Sequence, residues 1–144
     1  MENLEDTLKN SDSYVNDMLK FYEVGWDARG IDDRKNFEAR LKANVVTTVT
    51  YINEVIKEFN TLKLSVNEAY MKLENPNSLS VLFSVPNEVF LDKAIYSVYK
   101  HTHLIEQKSR SDNYRVAFSV TYDDGTLDKE CLASEGFIKT HSIE

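Results

Sequence analysis

DRKNFEARLKANVVTTVTYINEVIKEFNTL, running from Asp33 to Leu62, is the stretch on which the fold turns. Its apolar residues recur at Phe37, Leu41, Val45, Val49, Ile52, Ile56 and Phe59, in steps of three and four, the period of a helix and close to a heptad seam. Local propensity pulls the other way. The run Val45-Val46-Thr47-Thr48-Val49-Thr50-Tyr51-Ile52 is dominated by β-branched residues, which favour strands. The 3-4 spacing continues on both sides of that run and no turn residue bounds it, so the reading is one helix of about 45 Å. Such a rod exceeds what a small domain needs. It predicts a homodimer through a seam of Phe37, Leu41, Val45, Val49 and Ile52.

Upstream, Leu4, Leu8, Ser11, Val15, Met18, Leu19 and Tyr22 share a face and predict a first helix from about Leu4 to Val24. Gly25 reads as its C-terminal stop and Asp32 as the cap of the long helix, which makes residues 1–62 a helical hairpin. Trp26, the single tryptophan, falls in the connection. There it either plugs the hairpin end or stands as a binding anchor.

Beyond Leu64 the period changes to two. Ala69, Met71 and Leu73 alternate with Glu68, Tyr70 and Lys72, Asn75-Pro76-Asn77 makes a turn, and Leu79, Val81, Phe83 and Val85 line a second strand. Pro86 ends it. Asn87 then reads as the cap of a third helix with Leu91, Ala94, Ile95, Val98 and Ile105 on its apolar side, ending near Lys108. Tyr114, Val116, Phe118, Val120 and Tyr122 form the cleanest alternation in the chain, closed by Asp123-Asp124-Gly125. Thr126 to Glu135 reads as the returning strand, the other reading being a short helix from Leu127 to Glu135 stopped by Gly136. Phe137 and Ile138 are a last apolar piece, and Thr140 to Glu144 is expected to fray. The expected fold is therefore an α+β single domain over residues 1–144. Two long helices precede a ββαββ layer (63–144), with a small antiparallel sheet and one packed helix, in the order α-α-β-β-α-β-β.

Composition narrows the function. Of 144 residues 24 are acidic and 17 basic, a formal charge of −7, and such a field repels nucleic acid phosphates. The one basic strip, Lys100, His101, His103, Lys108 and Arg110, reads as cations offsetting a helix dipole. No apolar run is long enough for a membrane span, the acidic start is unlike a secretory signal, and a single cysteine, Cys131, allows no intramolecular disulfide. A cytoplasmic protein is expected. Four scattered glycines leave no dinucleotide fingerprint and no P-loop. His101 and His103 sit on opposite sides of a helix and cannot share a metal ion, and Cys131 has no nucleophile signature, so no metal, cofactor or catalytic residue is assigned.

One constellation stands out. Asp92, Tyr96, Tyr99, His103 and Glu106, spaced four, three, four and three, form a stripe beside the apolar side of the third helix, and His103 can reach Glu106 one turn on. The stripe reads either as an amphipathic boundary or as a groove for a partner. The function expected from these residues is a non-enzymatic protein-binding module, an adaptor, inhibitor or chaperone-like protein. It would bind through a sheet edge or through Tyr96, Tyr99, His103 and Glu106, with Trp26 as a further anchor. The alternative is a small-molecule or enzymatic pocket between the third helix and the sheet, with His103 and Glu106 as polar groups and Tyr70, Tyr96 and Tyr114 as walls.

Overall fold

The computed structural model describes residues 10, 12–18, 31–75, 77–123, 125 and 127–142. Residues 12–18 are helical (α1), and they are followed by α2 (Ile31–Thr61), β1 (Glu68–Asn75), β2 (Ser78–Val85) and α3 (Asn87–Phe90). The chain continues through α4 (Ile95–Ser109), β3 (Arg115–Tyr122), α5 (Lys129–Ser134) and β4 (Ile138–Ser142). The expected span of the first helix, and with it a hairpin of two long helices, extends beyond the described residues. Trp26 lies outside them, and so does the side chain of Phe37.

The long helix forms through its β-branched centre. Thr47, Thr48 and Thr50 each donate their hydroxyl to the carbonyl four residues back, at 2.8–3.0 Å, so none competes for other backbone groups. Val45, Val49 and Ile52 meanwhile enter the core. Asp32, expected as the cap, lies within the helix. At the other end, Leu64 N–H donates to Phe59 O (2.9 Å) and Lys63 N–H to Asn60 O (3.0 Å), with Lys63 at φ 60°. This is a Schellman stop without glycine, locked by burial of both Phe59 and Leu64.

That core takes in four of the five residues expected to form a dimer seam. Leu41, Val45, Val49 and Ile52 are buried by the chain's own Val15, Met18 and sheet residues, and Phe59 meets Phe83 at 5.7 Å between ring centroids. A seam between two copies would need side chains that the fold has already covered. Lys42 pairs with Asp12 (2.8 Å), Asn44 Nδ2 donates to Asn113 O (3.0 Å), and Thr48 and Tyr114 share a hydroxyl hydrogen bond of 2.7 Å. These contacts fix α2 to α1 and to the entry of β3.

The four-stranded sheet has the order β3-β2-β1-β4. It is mixed, where an antiparallel sheet was expected. β1 pairs antiparallel with β2 and with β4, whereas β2 and β3 are parallel from Ser78↔Arg115 to Val85↔Tyr122. The reason is the connection. A parallel pair needs a crossover of a dozen or more residues, and the segment holding α3 and α4 supplies it. One face of the sheet, with Ala69, Met71, Leu73, Leu79, Val81, Phe83, Val85 and Val116, is the core face, and α4 packs against both α2 and β3.

Two further expectations are corrected. The stretch after Gly125 is no returning strand: Asp128 Oδ1 accepts Cys131 N–H (2.9 Å) and caps α5, which Gly136 stops at φ 98°. The order is thus β3-α5-β4, and this connection carries the chain from one edge of the sheet to the other. Lys129 Nζ, 2.6 Å from Glu68 Oε1, and the Phe137 ring, 5.5 Å from Lys72 Nζ, tie it to the face opposite the core. Of the tail expected to fray, residues 140–142 instead belong to β4, which pairs from Met71↔Ile138 to Glu68↔Ser142. Among the described residues, no helix is long and apolar enough to cross a membrane.

Candidate functional site

The expected third helix is broken, and the break shapes the surface around it. Asp92 Oδ1 accepts Ala94 N–H (2.9 Å), an Asx turn that offers the backbone an alternative to helix and separates α3 from α4. Asn87 is the first residue of α3 and makes no side-chain cap; Pro86 precedes it. Around the break lies a groove of about 460 Å³ lined by Phe90, Leu91, Asp92, Lys93, Ile95, Tyr96 and Tyr99.

Tyr96 and Tyr99 meet edge to face at 6.1 Å, and Phe90 packs against Tyr122 at 5.5 Å, so the groove adjoins the end of β3. Partial burial, reinforced by Tyr96, raises the Tyr99 phenol above its ordinary pKa; it stays a neutral hydrogen-bond donor at physiological pH. Five large apolar residues are exposed among the described ones: Leu91 (72%), Tyr96 (65%), Tyr122 (51%), Leu104 (50%) and Tyr99 (36%). All but Leu104 sit around this one groove.

The expected stripe divides. Tyr96 and Tyr99 come together. His103 is exposed, and its Nε2 lies 3.1 Å from Gln107 Nε2 rather than near Glu106. Glu106 turns to the sheet, where its Oε1 accepts Phe118 N–H at 3.0 Å. His101 Nε2 is 3.4 Å from Glu54 Oε1, across the α2–α4 contact. The tyrosines proposed as pocket walls are dispersed. Tyr96 is on the surface, Tyr114 is in the core bonded to Thr48, and Tyr70 is buried on the opposite face of the sheet.

A second polar cluster was not foreseen. Tyr70 donates its hydroxyl to Glu68 Oε2, and Glu68 Oε1 accepts from Lys129. Burial works against the Glu68 charge, but Lys129 and the Tyr70 hydroxyl outweigh it and hold the carboxyl below its usual range. Burial and the Glu68 carboxylate push the Tyr70 phenol up. The cluster joins β1 to the helix that crosses above it. Its members come from positions 68, 70 and 129, a separation that no local motif could reveal.

Among the described residues, no three histidine, cysteine, aspartate or glutamate side chains gather as a metal site would require. Compared with known protein families, with curated proteins and with solved structures, the chain matches none of them.

Proposed function

We propose that this chain is a protein-binding module and that the groove between α3 and α4, continued by the exposed end of β3, is its binding surface. The observation that carries this reading is the collection of Leu91, Tyr96, Tyr99 and Tyr122 around one groove. Large apolar side chains scattered singly need no explanation, whereas a contiguous group rimmed by charges such as Asp92 and Lys93 is characteristic of interaction sites. Tyrosine is favoured there because it offers a large contact area at small entropic cost. Walls as exposed as Leu91 and Tyr96 leave the groove open to solvent, whereas small-molecule sites bury most of their ligand, which favours a macromolecular partner. The free, exposed Cys131 supports a reducing compartment such as the cytoplasm.

The test is site-specific photo-crosslinking in the cells that make the protein, with the photoreactive residue at Tyr96, at Tyr122 or at Leu104. Leu104 is the control, being exposed and apolar but away from the groove. A discrete protein adduct from Tyr96 and Tyr122 and none from Leu104 is the expected result. Equal adducts from Leu104, or none from Tyr96, would refute the reading.

A further inference from the structure

β3 is an outer strand, and its unpaired side can be read from its hydrogen bonds. Arg115 N–H donates inward to Asn77 O (2.7 Å) and Asp123 N–H to Val85 O (2.8 Å). Strand residues alternate in direction, so the N–H and C=O groups of Val116, Phe118, Val120 and Tyr122 point away from β2. One of these donors is occupied. Phe118 N–H is held by Glu106 Oε1, which sits where the carbonyl of an added strand would sit.

The two ends of this edge differ in chemistry. At the Tyr122 end lies the aromatic groove. At the Arg115 end, Arg110 and Arg115 line a concavity of about 310 Å³ together with Ser78, Glu106, Val116 and Ala117. Neither guanidinium has a carboxylate partner among the described residues. On a chain of charge −7, two unpaired arginines beside an open strand form a local exception to the general field. Arginine suits carboxylates because its planar fork can bond both oxygens.

Building on the protein-binding reading, we infer that the partner contributes an extended acidic segment, which adds to β3 as a fifth, antiparallel strand. Antiparallel pairing is the more stable arrangement per residue. It seats an apolar side chain near the segment's start in the Phe90 groove and brings acidic groups near its C-terminal end to Arg110 and Arg115. From Arg115 to Tyr122 the edge spans about 23 Å, so some seven residues separate the two anchors. Glu106 is the resident competitor: it occupies the Phe118 amide in the free protein and swings aside when the segment binds.

The probe is an acetylated peptide with one phenylalanine, alternating valine and threonine, and two C-terminal aspartates. It is titrated into the full chain while backbone amides are followed by NMR and hydrogen exchange. A control peptide carries lysines in place of the aspartates. The expected result is protection of the Val120 and Tyr122 amides by the acidic peptide, with binding about tenfold weaker for the lysine peptide and for Arg110→Ala/Arg115→Ala. Glu106→Ala should tighten binding severalfold. Shifts confined to Leu91, Tyr96 and Tyr99, with no protection along β3 and no dependence on the arginines, would overturn the strand-addition inference and leave the protein-binding reading standing. Silence throughout would overturn the inference too; the crosslinking at Tyr96 decides the broader reading independently.

Discussion

Tyr114 illustrates how one side chain fixes a junction. It ends the loop before β3, its hydroxyl bonds to Thr48 on α2, and its ring lies 6.4 Å from that of Tyr51. Thr48 keeps its bond to Asn44 O when the phenol is removed, so Tyr114→Phe should cost about 0.5–1.5 kcal/mol, measured by denaturant unfolding. Its pH signature is more specific. Burial, chiefly, pushes the Tyr114 phenol up to about 12, whereas an unfolded tyrosine releases its proton near about 10. The native state therefore holds a proton that the unfolded chain has lost. The associated stability is complete below about pH 10 and disappears as pH rises through about 12. Tyr70, also raised, acts in the same direction. Thermal midpoints between about pH 9 and 11.5 should fall less steeply for Tyr114→Phe than for the natural chain. Tyr114 belongs to the alternation read from the sequence but lies just before β3, and its pairing with Thr48 was not legible, because the two stand 66 positions apart and no local pattern links them.

At the scale of elements, α2 is where periodicity outweighed propensity. The β-branched run stays helical because one side of it fills the core and the threonines satisfy themselves on their own helix. These two roles separate by mutation. Thr50→Ala, at an exposed position, should gain up to roughly 0.7 kcal/mol from helix propensity, while Ile52→Ala, two residues on, should lose about 2–5 kcal/mol through its cavity. Chemical denaturation of both variants checks the pair, and a loss for Thr50→Ala would contradict this account of the helix. The strands were equally legible: Leu79 to Val85 and Val116 to Tyr122 alternate as they pair. Their mutual direction was not, since alternation is the same in parallel and antiparallel strands. The split of the third helix turned on Asp92, whose turn-forming side chain is an ordinary surface residue in a helical reading.

For the molecule as a whole, apolar surface is divided between a core, which takes the long helix, and an exposed group, which the fold does not use. Sequence periodicity suggested spare surface on α2, and the structure puts it at Leu91, Tyr96, Tyr99 and Tyr122. The stripe pointed to two of these, Tyr96 and Tyr99, by helical spacing. Leu91 and Tyr122 reach the same groove only through the Asp92 turn and the β2–α4–β3 crossover, which are tertiary features. If the group serves a partner and not the fold, removing it separates binding from stability.

The most direct measurement is the crosslink yield from the Tyr122 position in a Leu91→Ser/Tyr96→Ser variant, with the unfolding free energy determined on the same protein. The predicted result is loss of the adduct with stability within about 0.5 kcal/mol of the natural chain. An adduct that persists, or a stability loss of several kcal/mol, would contradict the claim that this surface exists to bind another protein.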